Sequence, residues 1–233
     1  MLQKIAQKPA ALGTGFYTVP EAARLLKLRP LSIRRWLGGY TYTHGEKTVK
    51  MPPLWQPQLP AYERHIELGF RDLIELRVIK SFIDAGLSII TVRNCLEYAR
   101  ECANDDRPFS TRRFQTDGRT IFLESLRRTG EEELLDLKDR QYVIKKIIDR
   151  TFKDLDLSND IVARWRPFEG KQSIVIDPKR AFGQPIANSY GVPTIVLADA
   201  VEAEGSVERV TRLYDVSASV VRDAVKFEKS LAA

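Results

Sequence analysis

Residues 18–37 read TVPEAARLLKLRPLSIRRWL. Thr18 to Glu21 has the form of a capping box, with Thr18 placed to cap a helix and Glu21 placed to bond the Thr18 amide. Pro20 suits a first helical turn, where its missing N–H has no partner to lose. Ala22, Ala23, Leu25 and Leu26 supply a small apolar face, and Leu28 falls under the turn that follows. Pro30 opens a second helix, which Gly38 and Gly39 end. Two short helices joined by a tight turn, the second carrying Arg34 and Arg35 side by side, have the layout of a helix-turn-helix. In that motif the second helix enters the major groove of DNA.

The same apolar pattern returns at residues 206–225, SVERVTRLYDVSASVVRDAV. The two segments align without a gap. Val19 falls on Val207, Arg24 on Arg212, Leu25 on Leu213, Leu28 on Val216, Ile33 on Val221 and Arg34 on Arg222. The outer positions differ, because Asp223 takes the place of Arg35, Ala224 that of Trp36 and Asp215 that of Lys27. Acids facing phosphate repel it. The second copy is therefore expected to serve packing or protein contact, and the first to meet DNA.

The charge distribution agrees. Residues 1–50 hold nine Lys/Arg against Glu21 and Glu46, whereas residues 169–233 hold eight against nine acids. Cationic side chains supply most non-specific DNA affinity, so the surplus lies with the first copy. Arg pairs with guanine through two hydrogen bonds and Ser bonds either base type, which makes Ser32 and Arg35 the base-edge candidates. Lys27, Arg29 and Arg34 are candidate phosphate clamps. Residues 40–68 lack a helical period and suggest a β-wing or short hairpin followed by an extended loop. Tyr42, His44, Lys47 and Lys50 fall in that wing, within reach of phosphate. Trp36 reads as a core anchor.

The rest of the chain is predominantly helical. Gly69 to Asp84 is amphipathic, Gly86 ends it, and Ser88 caps a helix running to about Cys102. Asp117-Gly118, between strand-like runs, predicts a β-hairpin, since a type I′ turn needs positive φ at both central positions. A long helix is expected from Glu131 to about Leu155. A break follows at Ser158 to Pro167, then a short strand at Ser173 to Asp177 and a turn-rich loop at Gly183 to Pro193. Thr194 to Glu204 reads as a helix ended by Gly205. Residues 1–15 are expected to be a loose leader, with no continuous apolar core of the kind a secretory signal needs. No apolar run approaches the ~20 residues that span a bilayer. Cys95 and Cys102 lie about 10 Å apart along one helix, too far for a disulfide within it, and read as reduced thiols. No metal site assembles from two histidines and these cysteines. There is no phosphate loop and no Gly-x-Ser-x-Gly. Glu131, Glu132 and Glu133 suit a helix start, so no catalysis and no cofactor are expected.

Residues 17–102 resemble the winged helix-turn-helix of MerR-type regulators. The resemblance is carried by FYTVPEAARLL, then SIRRWL, then FRDLIELRVIKSFIDAGLSIITVRNCLE, and it places Arg34 on the family's recognition-helix arginine. The wing departs from the family pattern, with MPPLWQPQLP standing where a glycine-tyrosine-arginine-x-tyrosine motif is usual. Residues 173–229 resemble a small antitoxin-like family that often accompanies PIN-like ribonuclease toxins, through SIVIDPKRAFGQPI, GVPTIVLADAVEAEGSVERV and LYDVSASVVRDAVKFE. Asn188-Ser189-Tyr190 replaces that family's usual glycine-threonine-arginine.

The expected architecture is mainly α with small β elements. It comprises a leader (1–15), a winged helix-turn-helix (16–108), a central β-hairpin with a long helix for dimerisation (109–168) and a small helical domain with the second helix-turn-helix (169–233). The expected function is a homodimeric transcription regulator of double-stranded DNA, cytoplasmic and nucleoid-associated. One alternative is an antitoxin that neutralises a PIN-like ribonuclease through residues 169–233 and represses its own operon. The other is an excisionase-like protein that bends DNA.

Overall fold

The computed structural model describes residues 13–63, 65–130 and 138–232. The chain is mainly helical, with small antiparallel sheets. Strand β1 (Tyr17–Thr18) leads into α1 (Val19–Leu26) and α2 (Pro30–Gly38). The capping box forms as the sequence predicts: Glu21 N–H donates to Thr18 Oγ1, and the Thr18 amide donates to Glu21 Oε2 at 2.7 Å. Lys27 takes the left-handed conformation that ends α1. Strands β2 (Tyr40–His44) and β3 (Lys47–Met51) then form an antiparallel hairpin. Gly39 is required where α2 gives way to β2, because its φ is +72° and a Cβ there would lie 2.7 Å from the Met51 carbonyl oxygen.

Strand β4 (Glu67–Leu68) pairs with β1 and sets the start of α3 (Phe70–Asp84), which α4 (Ile89–Ala103) follows. Ser88 caps α4 by accepting from Thr91 N–H. Residues 1–12 of the expected leader lie outside the described residues. Thr14 is already tied down, its carbonyl accepting from Phe70 N–H at 2.8 Å.

The hairpin expected at Asp117-Gly118 is not there. Residues Arg112–Thr129 form one helix, α5, capped by Thr111. Phe114, Gly118, Ile121, Phe122, Ser125 and Leu126 are its buried residues, a period near 3.6. Asp117 pairs with Arg113 one turn earlier at 2.9 Å. Gly118 serves close packing rather than a turn, since a Cβ there would meet Ile148 Cδ1 of the next helix at 3.0 Å. That helix, α6, is described over Lys138–Phe152. The expected start at Glu131–Glu133, with Leu134 and Leu137, lies outside the described residues. Ile144, Ile148 and Phe152 are buried within the chain's own core.

The expected break at 158–167 is also corrected. Strands β5 (Leu155–Ser158) and β6 (Ile161–Trp165) form a hairpin whose two turn residues, Asn159 and Asp160, have φ of 51° and 63°. Strand β7 (Ile174–Ile176) and β8 (Pro185–Ala187) complete an antiparallel sheet in the order β5-β6-β7-β8. The segments 109–168 and 169–233 thus share one sheet. Helices α7 (Thr194–Glu204), α8 (Val207–Tyr214) and α9 (Ala218–Ala232) close the chain around Ala187, Leu197, Val210, Val216, Val221 and Ala224.

Two arrangements join the ends of the chain. Arg24 of α1 reaches Glu228 of α9 at 3.0 Å, and Glu228 also accepts from the Thr194 hydroxyl. Tyr17 donates its hydroxyl to the Gly183 carbonyl at 2.7 Å. A main core then runs from α1 and α2 through α3 to α6 and on to Trp165, Ile176 and Phe227. Among the described residues, no helix is long and apolar enough to cross a membrane.

Candidate nucleic-acid interface

The buried side of α2 is Ile33 and Leu37, four residues apart. Trp36 is half-buried against the main core, the anchoring role expected from sequence. Those contacts fix which way the helix faces. Arg34 and Arg35 are exposed on it, and Lys27 and Arg29 are exposed in the turn before it. Ser32 is half-buried. Arg35 lies over the Tyr40 ring of β2, its guanidinium carbon 4.1 Å from the ring centre. Tyr42, Lys47 and Lys50 are exposed on the hairpin. His44 pairs with Lys47 through the backbone, and its side chain lies outside the described residues.

The hairpin and α2 are therefore neighbours, and they carry cations and aromatics on their outer surfaces. Residues 51–60, where proline removes backbone donors, are held from behind by arginines. Arg93 donates to the Pro52 carbonyl at 2.9 Å, Arg100 to that of Leu54 at 2.5 Å and Arg107 to that of Gln56 at 2.6 Å. Asp72 is fully buried and accepts from Trp55 Nε1, the Gln58 and Gly69 amides and Arg107 Nε. A buried carboxylate with four donors is well satisfied. It locks the loop after the hairpin onto α3.

Glu75, one turn further along α3, is also fully buried and accepts from the Phe109 and Ser110 amides. Burial pushes its carboxyl up to about 8, and these hydrogen bonds and Arg71 only partly oppose the shift. Burial also raises the Cys95 thiol well above its ordinary value. No group of three or more His, Cys, Asp or Glu is placed to hold a metal among the described residues.

The second copy repeats the backbone of the first. Ser206 caps α8 as Thr18 caps α1, and Asp215 has φ 52° where Lys27 has 51°. Leu28 N–H donates to the Ala23 carbonyl, and Val216 N–H donates to that of Thr211. Asp223 does not face outward as its alignment with Arg35 suggests. Its side chain is mostly covered and reaches Lys171 at 3.5 Å.

Sequence reasoning missed Leu31 and Tyr40. Leu31 is exposed on α2, and its place off the Ile33–Leu37 stripe was readable from helical periodicity. Tyr40 had no local signal, because its stacking on Arg35 depends on how β2 leaves the helix.

No protein-family model matches the chain. It is similar to a Mycobacterium tuberculosis protein named "Putative antitoxin VapB45", at 25% identity over 224 residues, 90% of this chain and 92% of that one. Its fold is similar to the crystal structure of Rv2018 from the same organism, with a TM-score of 0.68 and 22% identity, covering 90% of this chain and 96% of that one.

Proposed function

We propose that this chain is a DNA-binding antitoxin. In this reading α2 and the β2–β3 hairpin hold operator DNA, and the C-terminal part, residues 169–233, holds a toxin. The observation that carries it is the extent of the match to the VapB45 protein, which includes 90% of this chain and 92% of that one. A shared helix-turn-helix alone would cover a small part of either. The toxin implied by the sequence resemblance is a PIN-like ribonuclease, and the chain itself is a binding protein with no catalytic step. The exposed Lys27, Arg29, Arg34 and Arg35 support the DNA half of the reading. Two copies on a repeated site would place recognition helices about 34 Å apart, one helical turn of DNA.

Co-expression tests this reading. The gene beside that of the chain should halt growth when expressed alone, and the full chain should restore growth. The two products should co-purify and together retard a fragment of their own promoter. A neighbour that is harmless alone, or that forms no complex with the full chain, contradicts the antitoxin assignment.

A further inference from the structure

Leu31 is 62% exposed in the first turn of α2, on a helix whose buried side is Ile33 and Leu37. A single exposed leucine is ordinary on a protein surface. This one has an unusual neighbour. Arg35 lies one turn further along the same side of the helix, since residues four apart share a face. Among the described residues Arg35 makes no ion pair, and its guanidinium carbon lies over the Tyr40 ring, 4.1 Å from the centre. Stacking through the π face leaves the N–H groups at the rim of the guanidinium for a ligand.

The two side chains match two different features of the major groove. Arginine takes O6 and N7 of guanine together, and an apolar side chain takes the C5-methyl group of thymine. Side chains four apart on a helix are separated by about 5–6 Å. Base steps are about 3.4 Å apart, so the two features would lie one or two steps from each other.

We propose that Leu31 determines sequence specificity by packing on the C5-methyl of a thymine one or two steps from the guanine taken by Arg35, with Tyr40 positioning the Arg35 guanidinium. This rests on the DNA-reading role of α2. It adds an apolar reader to a surface that charge alone describes as a phosphate-binding one.

In vitro selection from a random duplex pool with the full chain tests it. The wild type should select a guanine with a thymine one or two steps away. Replacing that thymine by uracil in the selected duplex removes only the methyl group and should weaken wild-type binding about threefold to fivefold. Leu31→Ala should keep the guanine, accept any base at the thymine position and bind the two duplexes equally. Arg35→Ala should lose the guanine and keep the thymine. Tyr40→Leu should weaken the guanine preference, and Tyr40→Phe should preserve it because the ring face suffices. Wild-type binding indifferent to the methyl group, or an unchanged selected site for Leu31→Ala, overturns the proposal while leaving α2 a DNA reader. A wild-type chain that selects no DNA overturns both. The uracil comparison uses wild-type protein and so does not depend on any variant folding.

Discussion

The two matched segments, residues 18–37 and 206–225, repeat a capped helix, a left-handed turn residue and the start of a second helix, and differ in what covers them. Leu25 on α1 is 8% exposed, while its counterpart Leu213 on α8 is 66% exposed. Arg24 is bound to Glu228, whereas among the described residues Arg212 donates only to the Glu208 carbonyl. Part of the cover over α1 comes from the stretch of helix that follows the second copy. Helix α9 continues to Ala232, and its later turns place Phe227 and Glu228 against the N-terminal part of the molecule. The apolar skeleton thus specifies the motif, and the positions outside it decide what each copy meets. In the first copy those positions are Leu31, Arg34 and Arg35. In the second they include Asp223, which turns to Lys171.

The largest expected effect that separates the copies is in their cores. Ile33 and Val221 hold the same place and are both fully buried. Ile33→Ala should destabilise the chain by about 3–4 kcal/mol, and Val221→Ala by about 2 kcal/mol, because the valine has fewer carbons to lose. Urea denaturation reads both. Equal losses would mean that the two cores are not ranked by the apolar volume they bury.

The next effect is at the matched arginines. Arg24→Ala leaves Glu228 buried without its cation and should cost about 1 kcal/mol, a figure reduced because Arg24 is itself partly exposed to solvent. Arg212→Ala should stay within about 0.5 kcal/mol. A cost for Arg212→Ala as large as that for Arg24→Ala would break the distinction between a covered and an uncovered copy.

A third contrast is a pH slope that Glu75, on the helix beneath the first copy, carries and the second copy does not. Glu75 is held near 8 in the folded chain against an ordinary 4.5. The folded state therefore keeps a proton that the unfolded state releases. Stability should fall as pH rises from about 4.5 to about 8 and level off beyond. Glu75→Gln should flatten that slope, and Val221→Ala should leave it in place. Urea midpoints measured across this range decide it; a slope that survives Glu75→Gln would assign it to another group.

Much of this molecule was legible in its sequence where the signal was local. Capping residues and apolar period gave α1, α2 and α4, and Thr194 to Glu204 is α7 as expected. Asp117-Gly118 misled because glycine has two uses: a positive φ in a turn, or a missing Cβ where helices approach. Here Ile148 makes it the second. The actual two-residue turn, Asn159-Asp160, lacks glycine, so its local signal is weaker.

The candidate site was half legible. Its cations could be counted, but the orientation of Asp223 and the stacking of Arg35 on Tyr40 depend on contacts between separate elements. Total charge was also a coarse guide. Arg71, Arg77, Arg93, Arg100 and Arg107 spend donors on Asp72, Asp105, Asp154 and backbone carbonyls inside the fold.

The division between the copies is tested most directly by DNA affinity measured against salt concentration, for the wild type and two variants. Arg34→Ala combined with Arg35→Ala should weaken binding by about tenfold or more and lower the salt slope by about one for the lost phosphate contact. Arg222→Ala, the counterpart of Arg34 in the second copy, should leave affinity and slope unchanged. Loss of binding in Arg222→Ala, with the double variant binding as the wild type does, would contradict the assignment of DNA to the first copy.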